Sequence, residues 1–247
     1  MNELWIALLL ALVAFLYASV GHGGASGYIA VMALLGFAPE VIRPTALVLN
    51  LFVSAMAFAQ FARAGHFRWP LFWPFALASV PCAWLGAQVE LDVVVYKRVL
   101  AVCLVIAVAR LLGFFGSSTA PQHTPPLILA LIIGALLGLV SGMIGIGGGI
   151  LLSPLLLVFG WSSAKESAAV SAAFIFVNSL AGLAGISDVV LDPSQGIFTS
   201  SHILWIAAAV AGGAIGAYIG AQRFSQTRLR QVLGMVLLFA SFKLFFA

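Results

Sequence analysis

The chain has 247 residues, 63% of them hydrophobic and only 7% charged, whereas a soluble globular domain carries about 25% charged residues; the wetted shell of a soluble fold this size cannot be assembled from such a composition. The mean hydropathy of +1.17 places the chain in lipid, and its length leaves room for roughly eight to ten spanning helices of about 20 residues each and for no soluble domain. The net charge of +4 reads as the basic bias of cytoplasmic loops and not as a nucleic-acid surface, because no basic run interleaved with polar residues exists.

Apolar segments follow one another at about 4–20, 25–38, 45–62, 69–89 and 94–115. Beyond a polar stretch from Ser117 to Pro126 they recur at about 127–144, 149–160, 168–186, 203–222 and 229–246. Continuous apolar runs of this length predict membrane helices, since a lone strand would leave its backbone unpaired in lipid. Met1-Asn2-Glu3 lacks the positive region of a signal peptide, so the first segment reads as a retained helix. It ends at Gly21, His22, Gly23 and Gly24, and a short segment follows. Arg43 and Pro44 open the third segment, which carries Thr45 and Asn50; the arginine is expected to snorkel to headgroups. Trp69 and Trp73, in an aromatic stretch from Phe67 to Phe75, predict an interfacial belt. Cys82 and Cys103 read as small packing residues, too few for a metal site or a disulfide framework. The sixth segment ends at Gly145-Ile146-Gly147-Gly148-Gly149, again followed by a short apolar stretch. Ser171 and Asn178 then stand where Thr45 and Asn50 stood. Gly212, Gly213, Gly216 and Gly220 predict close helix packing.

The landmarks therefore occur twice in the same order, and late in each half Gly86-Ala87-Gln88 pairs with Gly220-Ala221-Gln222. This divides the chain into a first transmembrane repeat at 1–116, a linker at 117–126 and a second repeat at 127–247. Internal repeats are common in secondary transporters. Five segments per half would invert the second half and four would leave it parallel; Lys and Arg split equally well between the two faces in either arrangement. Leu4 to Ala38 as one helix would be about 52 Å long, too long for one crossing, so the glycine break must bend or reverse the chain. The expected fold is an all-α, polytopic transmembrane bundle of two homologous halves, inverted relative to one another, with short broken or re-entrant helices.

The glycine clusters carry the chemistry. Four glycines in the five residues 145–149 unwind a helix, each costing up to about 1 kcal/mol relative to alanine. Backbone freed in this way is tolerated at membrane depth only against protein or a wet cavity. The helix that restarts beyond the break presents bare N–H groups and a partial positive charge, which suits an anion. Gly21, His22, Gly23, Gly24, Gly145, Gly147, Gly148 and Gly149 are thus candidate substrate-binding residues. His22 could donate to the anion or relay a proton, since imidazole titrates near neutral pH. Thr45, Asn50, Ser171 and Asn178 complete the candidate set as neutral groups able to replace part of an anion's hydration shell. No catalytic set, paired intramembrane carboxylates or metal-spaced histidines occur, and the acids Glu40, Glu90, Asp92, Glu166, Asp188 and Asp192 fall near segment ends. The expectation is a non-enzyme without cofactor or metal, whose partners are a small anion and the bilayer. Coupling to H+ or Na+ and assembly as a homo-oligomer both stay open.

The run from Gly145 to Pro154, followed by Gly160 and the stretch from Ala168 through Ser171 to Asn178, resembles the TauE/SafE family of sulfite and organosulfur anion exporters. Ser19 to Gly24, with Thr45 and Asn50, looks like that family's other copy. The resemblance covers nearly the whole chain. It implies a multi-pass protein of the bacterial inner membrane that moves sulfite, sulfoacetate or related sulfonates without ATP hydrolysis by the chain, along a path lined by the paired motifs. Two other readings stand beside alternating access: a passive anion channel, and an intramembrane enzyme or assembly factor.

Overall fold

A computed structural model describes residues 3–19, 23–111, 123–188, 200–222 and 238. Among these residues the chain is all-helical, with no strand. Helices α1 (Glu3–Ser19), α2 (Ala25–Leu34), α3 (Pro39–Arg63), α4 (Trp69–Ala87) and α5 (Val93–Leu111) form the first half. Helices α6 (Leu127–Ile144), α7 (Gly149–Val158), α8 (Ala164–Gly185) and α9 (Ser200–Gln222) belong to the second. The segment expected at 229–246 lies outside the described residues except for Leu238, as do 117–122 of the linker. Among the described residues four helices, α3, α4, α6 and α8, are long and apolar enough to cross a membrane. The short members α2 and α7, with 10 residues each, reach about 15 Å, half the thickness of a hydrocarbon core.

Local chemistry sets the helix ends. Proline stands at the start of α3 and near the start of α4, where its missing N–H is no loss. Ser163 and Glu166 form a reciprocal capping box at the start of α8: the Ser163 amide donates to Glu166 Oε2 at 2.8 Å, and the Glu166 amide donates to Ser163 Oγ at 3.4 Å. Glu166 also pairs with Arg68 across the bundle at 3.6 Å. Helix α6 stops at Gly145, whose φ of 87° is open to glycine and strained for other residues.

The outside of the molecule is as apolar as its core. Leu4, Trp5, Leu8, Leu77, Ile128 and Ile203 are among the large apolar side chains turned outward. Among the described residues thirteen polar side chains are buried, all of them serine, threonine or asparagine. That distribution is what a lipid solvent selects.

Among the described residues, α4 with α6 and α1 with α9 meet backbone to backbone over successive turns. A methyl group on Gly134, Gly138 or Gly142 of α6 would strike the carbonyl oxygens of Phe75, Ser79 and Ala83 of α4 respectively. The contacts advance in the same direction on both helices, so α4 and α6 run parallel. Gly212 and Gly216 of α9 meet the carbonyls of Ala11 and Phe15 of α1 in the same way. Glycine serves here because any side chain would hold the helices apart. Between these pairs lie α3 and α8. Leu47 of α3 rests on Gly182 of α8, while Asn50, one turn later, shares the Gly147 junction with Ser179, one turn earlier. α3 and α8 are therefore antiparallel.

The buried positions refine the correspondence between the halves. In α4 they include Phe75, Ser79, Ala83, Gly86 and Ala87; in α9 they are Trp205, Ala209, Gly213, Gly216 and Ala217. The spacing is identical, so Gly86-Ala87 shares the burial pattern of Gly216-Ala217 as well as the sequence of Gly220-Ala221. Glycine recurs every four residues along α9, so the sequence pattern alone could not choose between neighbouring turns.

Candidate functional site

Both glycine clusters interrupt helices. Between α6 and α7, Gly145, Gly147 and Gly148 have φ of 87°, 72° and 69°, a left-handed run that other residues enter only with strain. The Gly149 amide bonds the Gly147 carbonyl at 2.9 Å, and regular bonding resumes with Leu151 and Leu152 donating to the Gly148 carbonyl, each at 3.0 Å. In the first half Gly24, with φ of 93°, opens α2; Gly21 and His22 lie outside the described residues. Tyr17 and Ser26 span this break through a hydroxyl–hydroxyl bond of 2.7 Å, tying α1 to α2.

The two breaks come together at Asn50. A methyl on Gly23 would lie 3.2 Å from Asn50 Oδ1 and 3.0 Å from Ile175 Cγ2; one on Gly147 would lie 3.0 Å from Asn50 Nδ2, 3.0 Å from Ser179 Oγ and 2.8 Å from Ile175 Cγ2. One asparagine from α3 and two side chains from α8 thus fill the space between unwound segments 124 residues apart in the chain. The junction is closely packed, with the Ile175 side chain touching both breaks.

The polar groups here are buried without partners. Both side-chain atoms of Asn50, the hydroxyls of Thr45, Ser54, Ser141, Ser171 and Ser179, and Asn178 Oδ1 find no hydrogen bond among the described residues. Each such orphan costs about 1–3 kcal/mol. Buried groups left in this state in a native structure point to a guest or to water that completes them.

The remaining candidates divide. Gly149 abuts Ile175 and the Ser171 carbonyl, which places it beside the junction. Gly148 packs on Phe174 and Ser141, Gly24 on Tyr28, and Gly145 on Arg43. Asn178 spends its amide on its own helix, donating to the Phe174 carbonyl at 2.8 Å. Thr45 lies on α3 more than one turn before Asn50, buried. Ser179 and Ile175 escaped the sequence reading: a serine and an isoleucine on a small-residue helix look like packing, and only the fold brings them to Gly147.

Arg43 does not reach for headgroups. Its Nε donates to the Gly142 carbonyl at 3.0 Å, and its Nη2 donates to the Gly86 carbonyl at 3.2 Å and to that of Ala87. The C-terminal carbonyls of α4 and α6 are unpaired within their helices and carry partial negative charge. A planar guanidinium can satisfy several of them at once. Beside it a cavity of about 480 Å³ opens, lined by Glu40, Gln88, Glu90, Tyr96 and Asp188 among others.

Paired broken helices are a recurring feature of membrane transporters, and comparison with known proteins points to that class. The model of the family described as "Sulfite exporter TauE/SafE" matches residues 6–244. The chain belongs to the TauE/SafE family. A relative from Sinorhizobium fredii (strain NBRC 101917 / NGR234), described as "Probable membrane transporter protein y4hK", is 40% identical over 243 residues, 97% of this chain and 96% of the relative. No solved structure matches. As a TauE/SafE protein the chain is a membrane transporter.

Proposed function

We propose that this chain is a secondary transporter that carries small sulfur-containing anions, such as sulfite, sulfoacetate or related sulfonates, across the bacterial inner membrane by alternating access. The observation that carries the reading is the meeting of Gly23 and Gly147 on Asn50, whose amide is unpaired and fully buried. Both breaks lead directly into helix N-termini, α2 at Gly24 and α7 at Gly148, which favour negative charge. Neutral donors from α3 and α8 replace water around the anion. An all-helical bundle suits the inner membrane, because outer-membrane proteins are predominantly closed barrels.

The halves act as inverted repeats about an axis in the membrane plane, a relation supported by the antiparallel course of their counterpart helices α3 and α8. In such a design rocking one half against the other exposes the junction to each side in turn. Ile175, touching both breaks, supports a carrier over a continuous pore. Coupling to H+ or Na+ belongs to this proposal as the source of direction. The test is flux into proteoliposomes over a panel of sulfur anions, with and without a pH or Na+ gradient. Saturable exchange of a sulfonate or sulfite is the expected result. Steady anion current without saturation would establish a channel instead, and absence of flux for every sulfur anion would defeat the substrate assignment.

A further inference from the structure

We propose that Arg68 and Glu166 gate the route by which the anion passes between the junction and the membrane face opposite Arg43. The proposal rests on the carrier reading above and names the residues that close one of its two exits. Helix α3 separates those exits. Arg43 stands near its start and Arg68 just past its end, and Arg43 to Arg63 spans about 30 Å of helix, the thickness of a hydrocarbon core. Asn50 lies between, about 10 Å from Arg43 and about 20 Å from the far end. On the Arg43 side a cavity of about 480 Å³ is lined by both halves, by Glu40, Gln88 and Tyr96 of the first and by Met143, Ile186 and Asp188 of the second. On the Arg68 side the halves touch. Arg68 Nη1 lies 3.6 Å from Glu166 Oε1 and donates to the Trp161 carbonyl at 3.4 Å, and the Trp161 ring lies 6.1 Å from that of Phe75.

Buried hydroxyls lead from the junction to this contact. Ser179, Ser171 and Ser167 belong to one row on α8 in which every fourth residue follows the last, with Ile175 between the first two; residues at this spacing are neighbours on a helix surface. On α3, Ser54 lies one turn past Asn50 toward the Arg68 end. Ser54, Ser171 and Ser179 are fully buried, and their hydroxyls have no partner among the described residues. Ser167 meets Ser153 of α7 through a hydroxyl–hydroxyl bond of 2.9 Å. Ser162, beside Trp161 in the turn that leads into α8, is again buried and unpartnered. Hydroxyls in that state are costly in a sealed apolar interface and suit a path that is wetted or occupied for part of a cycle. Glu166 stands next to Ser167, about 20 Å along the axis from Ser179.

A gate must close and reopen. With side chains 30% and 19% exposed and 3.6 Å apart, the pair is of the kind that adds little to stability, so it parts and re-forms readily. Glu166 divides its oxygens: Oε2 accepts from the Ser163 amide in the helix cap, and Oε1 faces Arg68. Glutamine at this position keeps the cap and removes the charge.

The test reads exposure of the serine row. Full-length protein with Cys82 and Cys103 replaced by alanine carries Ser171→Cys as the reporter. A membrane-impermeant, anionic thiosulfonate reagent is applied to spheroplasts and to inverted membrane vesicles in turn. Arg68→Gln and Glu166→Gln should each speed labelling about two- to fivefold, from one side of the membrane only, and the double variant should add little to either. The two substitutions change local charge in opposite senses, so steering of the reagent alone would move the rates in opposite directions. Arg68→Lys, which keeps the charge, should label near the unsubstituted rate, as should Arg63→Gln, which removes an exposed charge at the end of α3. Opposite effects of the two glutamine variants, equal rates in all variants, or a reporter that reacts only after denaturation overturns the gate. Saturable anion exchange by the wild type in proteoliposomes decides the carrier reading separately. Exchange with an indifferent reporter leaves a carrier without this gate, whereas absence of exchange removes the carrier reading and the gate with it.

Discussion

Replacing Gly147 by alanine separates the cost of an unusual backbone from the cost of filling the site. Gly147 has φ of 72°, and so nearly do Gly65 at 77° and Gly36 at 83°. A side chain at any of the three incurs a left-handed penalty of about 1–2 kcal/mol. At Gly65 and Gly36 a methyl would meet nothing within 4 Å, whereas at Gly147 it would lie 2.8 Å from Ile175 Cγ2 and 3.0 Å from both Asn50 Nδ2 and Ser179 Oγ. Carbon atoms pack comfortably at about 3.5–4.0 Å, so Ile175 must retreat by roughly 0.7 Å or more, an overpacking cost of about 1–3 kcal/mol. Gly65→Ala should thus lose about 1–2 kcal/mol and Gly147→Ala about 2–5 kcal/mol. Because the methyl also occupies the space between two donors, transport by Gly147→Ala should fall at least about tenfold, the equivalent of about 1.4 kcal/mol of binding. Gly65→Ala should transport normally. The assay is initial flux per folded protein in proteoliposomes, alongside thermal unfolding in detergent. Wild-type flux from Gly147→Ala, at a stability matching Gly65→Ala, would refute the placement of the substrate at this junction.

Arg43→Lys should lower stability by about 1–3 kcal/mol, because one ammonium cannot bridge carbonyls of α4 and α6 as the guanidinium does; an unchanged unfolding temperature would count against the bracing role. Gly138→Leu, whose side chain must enter the Ser79 carbonyl of α4, should separate α4 from α6 and abolish a monodisperse elution peak, and normal elution would show that the close approach is dispensable. Ser163→Ala removes the α8 cap and should cost about 0.5–2 kcal/mol with little change in flux per folded molecule. Asn178→Ala should weaken apparent substrate affinity less than Asn50→Ala, since Asn178 already donates to Phe174; saturation curves of the two variants decide the order.

Much of the bundle was legible in one dimension because its signals are local. A run of apolar residues is a membrane helix wherever it falls, and four glycines in a row of five cannot continue one. The shortness of α2 and α7 followed from the same counting. The register between α4 and α9 did not, because glycines repeated every turn fit a neighbouring turn equally well. Arg43 misled for a related reason: an arginine beside a proline at a segment start looks interfacial, and the carbonyls it serves belong to helices more than forty residues away in the chain.

Residence in lipid, helicity, the two breaks and the family motif were all written in composition and short-range pattern, since each depends on how a segment meets solvent or closes its own hydrogen bonds. The meeting of Gly23, Gly147, Asn50, Ser179 and Ile175 was decided by the packing of α3 against α8, which brings both breaks to one place. Contacts across more than a hundred residues arise from how helices lie on one another, and no local periodicity carries that information. For that reason the candidate residues could be named from the sequence, but only the fold separates those that share one space from those that brace it.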